Sequence, residues 1–265
     1  MRIIVPIKQV PETSSVKMDE TTGTMIREGV EAIVNPLDLY AIETALRLRE
    51  RHGGEVIVIS MGPPAAMTAV REAVAMGCDS GVLLSDKAFA GSDTWATSYT
   101  LSAGIRKLGE FDVIICGERA TDGDTGQVGP GIAGFLGLPV ATYVGKIDEA
   151  DASKVRVRRL VENGHEILEV HLPAVLTVVK EIGEARLPTL RGKRRARSID
   201  IAVWGPEDLD VDADNLGLQG SPTRVVKIFR PKVARDCTKM SAKDETTLDA
   251  AVDGLVAFLR QKQLI

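Results

Sequence analysis

Short apolar runs alternate with helix-length segments through the first half of this chain, and that alternation leaves few folds open. Arg2-Ile-Ile-Val-Pro-Ile7, Glu55-Val-Ile-Val-Ile-Ser60, Gly81-Val-Leu-Leu84 and Asp112-Val-Ile-Ile-Cys116 read as buried strands. A helix opens at Asn35-Pro-Leu-Asp38, carries Leu37, Ala41, Ala45 and Leu48 on one face and stops at Gly53-Gly54. A second follows Met61-Gly-Pro-Pro64 and runs to Met76, a third covers roughly 93–108, and a fourth runs from Val128 to Leu136 before the strand Val140-Ala-Thr-Tyr-Val144. Strands alternating with amphipathic helices predict an α/β fold with a parallel, doubly wound sheet. Such sheets take ligands at the carboxyl ends of their strands, near the point where strand order reverses. A hairpin excursion is expected over 16–26, turning at Glu20-Thr-Thr-Gly23.

The texture changes after residue 154. Val155-Arg-Val-Arg-Arg-Leu160 and Glu166-Ile-Leu-Glu-Val-His171 flank Asn163-Gly164, a hairpin turn signal, and a further strand covers 175–179. Beyond Glu181 the chain is rich in Pro, Arg and Asp, with little periodicity until a helix over 246–263 whose stripe is Leu248, Val252, Leu255, Val256 and Leu259. Sixty-odd residues of weak structure suit an arm that packs on a partner better than a self-contained fold. The expected division is a nucleotide-binding α/β domain over 1–190, with the β-hairpin added to it, and a C-terminal arm ending in a helix over 191–265.

The most informative loop lies between the fourth strand and the fourth helix. Gly117-Glu-Arg-Ala-Thr-Asp-Gly-Asp-Thr-Gly-Gln-Val128 sets small residues and a helix N-terminus at a strand's carboxyl end. Unpaired backbone N–H groups and the positive end of the helix dipole favour a phosphate or pyrophosphate there. Gly129-Pro-Gly-Ile-Ala-Gly134 matches G-x-G-x-x-G, but it follows a late strand, contains Pro130, and has its next acid, Asp148, too early for a ribose contact in a dinucleotide fingerprint. Close helix packing is the competing explanation of the glycines.

Other chemistry finds little support. With 44% apolar and 26% charged residues among 265 and a net charge of −4, the chain is an ordinary globular protein and not a general nucleic-acid binder. Cys78, Cys116 and Cys237 form no C-x-x-C pair and read as reduced thiols, which suits the cytoplasm. No apolar stretch reads as a signal peptide or membrane span. Asp122 and Asp124 lack His or Cys neighbours for a metal, so capping or a ribose hydrogen bond suits them better. His52, His165 and His171 have no triad partners, and the G-x-S-x-G elbow of α/β hydrolases is missing. The basic run Arg191-Gly-Lys-Arg-Arg-Ala-Arg197 is either a solvated loop or a surface that steers an acidic partner, since aromatics for base stacking are absent.

Together these segments resemble the β subunit of electron transfer flavoproteins over nearly the whole chain. The resemblance is carried by Val5-Pro-Ile-Lys-Gln-Val10, Asn35-Pro-Leu-Asp38, Val58-Ile-Ser-Met-Gly-Pro63, Asp122-Gly-Asp-Thr-Gly-Gln-Val-Gly-Pro130 and Val179-Lys-Glu-Ile-Gly-Glu-Ala-Arg-Leu-Pro-Thr-Leu190, in family order. It implies a heterodimer with an FAD-carrying α subunit that the C-terminal arm embraces. It also implies electron traffic with flavin dehydrogenases of the acyl-CoA dehydrogenase type, with no side-chain catalysis.

Carried over by position, the nucleotide site falls on Pro6, Asn35, Pro36, Leu37, Asp38 and Met61, and on Gly117, Glu118, Arg119, Ala120, Thr121, Asp122, Gly123, Asp124 and Thr125. The pyrophosphate would rest on the backbone up to Gly126, Gln127 and Val128. Arg186, Leu187, Pro188, Thr189 and Leu190 match the segment that docks the dehydrogenase, with Leu190 as its apolar anchor. The loop is short, as in anaerobic NADH-linked members where a second FAD occupies this subunit and electrons can bifurcate. Gly126 departs from them, since Ala is usual there. The competing expectations are AMP in this subunit beside a single FAD in α, and a stand-alone nucleotide-binding stress or sensor protein of the same architecture.

Overall fold

The computed structural model describes residues 1–12, 17–18, 25–26, 32–226 and 237–265. It contains two compact units, Met1–Lys227 and Ile228–Ile265. In the first, β1 (Arg2–Ile7) is followed by the short strands β2 (Gln9–Pro11), β3 (Lys17–Met18), β4 (Met25–Ile26) and β5 (Ala32–Val34). β2 pairs antiparallel with β5, and β3 with β4. The latter pair agrees with the expected hairpin, whose turn at 20–23 lies outside the described residues. Then come α1 (Pro36–His52), β6 (Glu55–Met61), α2 (Met67–Met76), β7 (Ser80–Leu84), α3 (Thr94–Leu108), β8 (Val113–Gly117) and α4 (Val128–Leu136). The unit continues with β9 (Val140–Ala150), β10 (Lys154–Val161), β11 (Gly164–His171), β12 (Ala174–Val178), α5 (Leu190–Ser198) and β13 (Ala202–Trp204).

The main sheet has nine strands in the order β11-β10-β9-β12-β8-β1-β6-β7-β13. Every neighbouring pair from β9 to β13 is parallel, and β10 and β11 extend the sheet as an antiparallel hairpin. The chain steps outward from β1 through β6 to β7, then returns to β1's other side as β8. Strand order therefore reverses between β1 and β8, which opens a crevice at their carboxyl ends.

Side chains that alternate along the strands feed two cores. Ile3, Val5, Val56 and Val58 face Ala41, Ile42 and Leu46 of α1 and Ala69 and Ala73 of α2. Ile4, Ile59, Leu84 and Ile114 face Leu101 and Ile105 of α3 and Ile132 of α4. Both faces of the sheet are thus covered, which explains why its strands read as continuous apolar runs.

The first unit continues past the boundary expected at 190/191. α5 packs on α2 through Ala196 against Val74 and Ala75, and β13 pairs with β7 at the sheet edge. Leu209 and Leu216 are buried against the α3 face. The basic run is therefore helical, not a loop. Its Arg195 donates to the carbonyl of Cys78 at 2.8 Å, while Arg191, Lys193, Arg194 and Arg197 stay exposed.

The described part of the second unit, residues 237–265, contains α6 (Glu245–Gln261), opened by a reciprocal cap in which the Asp244 carboxylate accepts from the Thr247 N–H at 2.8 Å. None of its residues is buried, and Leu248, Val252, Leu255 and Phe258 are about half exposed. No described helix is long and apolar enough to cross a membrane.

Candidate functional site

Lys8, the residue that follows β1, is fixed through its backbone. Its N–H donates to Asp38 Oδ2 at 2.7 Å, and its carbonyl accepts from the Asn35 N–H at 2.8 Å. Asn35 is fully buried where α1 begins. Its amide Nδ2 donates to the Arg119 carbonyl at 2.9 Å, and its Oδ1 accepts from the Thr121 N–H at 3.1 Å. A single buried amide thereby joins the end of β1, the start of α1 and the loop after β8. Satisfied on both sides in a low-dielectric setting, such a side chain fixes geometry more strongly than an exposed one.

Asp38, in the first turn of α1, lies against the end of β8. A Cβ on Gly117 would collide with Asp38 Oδ1 and stand 2.8 Å from the Leu37 carbonyl carbon, so glycine lets β8 and α1 approach here. Burial pushes the Asp38 carboxyl up to about 7, against the opposing effect of hydrogen bonds from Asn35 and from the Lys8 and Gly117 backbones. Pro36 is the first residue of α1, where its missing N–H costs no helix bond, and Leu37 is half-buried. Pro6 is buried one residue before the end of β1. Met61 stands at the carboxyl end of β6, the strand next to β1, where it packs on the α3 side of the sheet.

The loop over 118–127 is tied at both ends and open between. The Glu118 N–H bonds the Val178 carbonyl at 3.0 Å, and the Asp124 N–H bonds the Ala120 carbonyl at 2.8 Å. Asp124 and Gly126 have φ of 54° and 63°, in the left-handed region. A Cβ on Gly123 would meet nothing within 4 Å, so the surface beside it is open. Gln127 makes no side-chain cap at the start of α4, so the Val128 and Gly129 N–H groups receive no acceptor from it, and Pro130 brings no N–H. Gly129 is buried, and its Cβ would lie 2.5 Å from Thr177 Cγ2. Close packing therefore accounts for Gly129, while Gly123 has open space instead.

The loop's charges are paired. Arg119 bonds Asp124 at 2.6 Å and Glu118 at 3.1 Å, and Lys8 Nζ reaches both carboxylate oxygens of Asp122 at 2.7 Å. Lys8 was not among the sequence candidates, although a cation directly after a central parallel strand is a readable signal. Tyr143 was also missed. It sits at a register shift between β9 and β12 with φ of 58°, and its hydroxyl lies 3.9 Å from the point a Gly126 Cβ would occupy. Bulges re-aim side chains in this way beside functional sites. Nothing in a strand's composition announces one.

Cys116, at the end of β8, is buried, and desolvation raises its thiol well above the usual range. It belongs to the core. Among the described residues no three His, Cys, Asp or Glu side chains gather to hold a metal ion.

The segment 186–190 is tied to α1 through Arg186, away from that helix's N-terminus, and ends at the first residue of α5. Arg186 bonds Glu43 at 2.7 Å and Glu50 through a second pair of contacts. Leu187 and Leu190 are 84% and 88% exposed. Pro188 separates them, and the Thr189 hydroxyl caps α5 by accepting from the Gly192 N–H at 2.9 Å.

A doubly wound sheet with a glycine-rich, donor-lined loop at its switch point defines an α/β protein of the nucleotide-binding type. A family model described as electron transfer flavoprotein domain matches residues 22–209. The chain is 49% identical over 266 residues, covering 100% of both chains, to the electron transfer flavoprotein subunit beta of Thermoanaerobacterium thermosaccharolyticum. It is 46% identical over 266 residues, again covering 100% of both, to the caffeyl-CoA reductase-Etf complex subunit CarD of Acetobacterium woodii. It is 42% identical over 273 residues, covering 100% of this chain and 96% of the relative, to protein FixA of Azorhizobium caulinodans. The chain belongs to the electron transfer flavoprotein family, and its role lies in electron transfer.

Proposed function

We propose that this chain is the β subunit of a heterodimeric electron transfer flavoprotein of the NADH-linked type, with an FAD of its own in the crevice between β1 and β8. The observation that carries this reading is the loop at 122–128, whose open space at Gly123, small residues and uncapped helix start lie at a strand-order reversal. The donor set fits an adenine nucleotide: backbone N–H groups would hold the phosphates, Asp122 and Asp124 could accept from ribose hydroxyls, and Asn35 and Asp38 are buried beneath the loop. FAD bound there would supply the acceptance and release of electrons. The chain's own residues bind and orient it, and no side chain performs covalent chemistry. The relative named for a caffeyl-CoA reductase complex supports a dehydrogenase partner of acyl-CoA type. The segment 186–190 is then the docking element and α6 part of the contact with the α subunit. The free thiols suit a cytoplasmic setting.

Acid extraction of the purified αβ pair, followed by chromatography of the released cofactor, tests the reading. FAD in both subunits, with NADH reducing the one in β, is the expected result. One FAD with one AMP would identify a simple carrier with AMP in this crevice. Neither nucleotide in β would end the nucleotide reading and favour a role without a cofactor here.

A further inference from the structure

Lys8 connects the two sides of the switch-point crevice. Its backbone belongs to the β1 side, held by Asp38 and Asn35, while its Nζ crosses to Asp122 on the loop after β8, 114 residues away. Only the side chain is free to change partner. Both carboxylate oxygens of Asp122 lie 2.7 Å from Nζ, and the Lys8 side chain is about half exposed, so water and solutes reach the pair. An ion pair this exposed gains little net stability and is readily exchanged for a better anion.

The loop itself needs such a cation. Glu118, Asp122 and Asp124 are three carboxylates against one guanidinium, Arg119, which is shared between Glu118 and Asp124. Lys8 cuts the net charge of this group from −2 to −1, which weakens the repulsion that a phosphate approaching the backbone donors would meet. A phosphate, a dianion in AMP and two adjacent singly charged groups in the pyrophosphate of FAD, offers Lys8 more charge than the single carboxylate it now holds.

We propose that Lys8 is a phosphate ligand of the nucleotide site, and that its ion pair with Asp122 is a resting partnership that the incoming phosphate replaces. Asp122 thus holds the lysine in place without ligand and is released toward the sugar when ligand binds. The inference rests on the reading of this crevice as the nucleotide site. It does not depend on which nucleotide is native, because FAD and AMP share the adenosine 5′-phosphate unit.

The test uses the αβ pair, stripped of β-site nucleotide by mild chaotrope and gel filtration, titrated calorimetrically with AMP and with adenosine. In the wild type AMP binds more tightly than adenosine. Lys8→Gln lowers AMP affinity by about tenfold and leaves adenosine within roughly twofold, removing most of the phosphate preference. Lys8→Arg restores much of it. Asp122→Asn, which frees the lysine and removes a competing anion, raises AMP affinity relative to adenosine by roughly twofold to fivefold. If Lys8→Gln binds AMP as well as the wild type does, the inference is overturned while the nucleotide site stands. Equal losses for AMP and adenosine in both variants would make the pair a structural clasp and also overturn it. A wild-type pair that takes neither probe would overturn the site reading, and this inference with it.

Discussion

Asp38 is an acid held where water does not reach it, and its placement has a measurable consequence. Burial raises its carboxyl to about 7 from an unfolded value of 3.8, despite the hydrogen bonds that favour its charge. Between those two values the folded chain holds a proton that the unfolded chain has lost. This group's contribution to stability is therefore full below about pH 4 and is lost as pH rises through about 7, by roughly 4 kcal/mol at most. In urea unfolding across pH 4 to 8, the wild type should lose stability relative to Asp38→Asn, by up to about 4 kcal/mol, as pH rises toward 7, because the amide does not ionise. A pH-independent difference would mean that Asp38 is charged throughout. Gly117 is the second test at this scale, because its Cβ would press on Asp38 and on the Leu37 backbone, neither of which can swing away. Gly117→Ala should cost about 1–3 kcal/mol by overpacking, read as a lower urea midpoint with unchanged slope. The family resemblance grouped Asn35-Pro-Leu-Asp38 with the glycine loop, and hydrogen bonds from the Asn35 side chain join the two segments. That Asn35 would link three segments, or that Lys8 would cross the crevice, was not legible in sequence, since both depend on residues more than eighty positions apart.

Among the elements, the segment 186–190 combines a rigid anchor with an open display. Arg186 is held by two acids of α1, and Arg186 and Arg47 hold the Glu43 carboxyl below its usual range although burial works the other way. Glu43 is only 6% exposed at its side chain, so losing Arg186 leaves a nearly buried carboxylate with Arg47 as its remaining partner. Arg186→Ala should lower stability by about 1–2 kcal/mol, seen by thermal or urea unfolding. Leu190, by contrast, is almost wholly exposed, and Leu190→Ala should leave stability within about 0.5 kcal/mol. If this leucine seats in a dehydrogenase pocket, the same change should slow electron transfer to that partner severalfold or more with flavin content unchanged. Stopped-flow transfer with an acyl-CoA dehydrogenase reads the difference, and unaltered kinetics would remove the segment from the docking role. The family resemblance pointed to Leu190, but not to its exposure or to the arginine that anchors the segment. Nothing local ties Arg186 to acids 143 and 136 positions earlier.

For the whole molecule, the alternation of strands and helices announced the parallel sheet, and the apolar continuity of its strands reflects cover on both faces. The stretch after 190 was harder to read. β13 is three residues long, and Leu209 and Leu216 are single anchors between polar turns, so no period betrays that this stretch packs on the sheet domain. Propensity and pattern detect repeated burial, and isolated anchors leave no repeat. The unit from Ile228 onward differs, because α6 carries a full apolar stripe with no buried residue. A capped helix with Leu248, Val252, Leu255 and Phe258 half exposed has more to bury than it has buried, which is the condition expected of a subunit contact. Val252→Asp with Leu255→Asp should therefore weaken association with the α subunit by at least about tenfold, because two charges would enter an apolar contact. The melting of this chain alone should stay the same, since neither residue is buried in it. Sedimentation of the mixed subunits measures the first effect and calorimetry of the isolated chain the second. Association that survives the double substitution, or an isolated chain in which residues 237–265 already resist protease, would show that the stripe serves some purpose other than holding α.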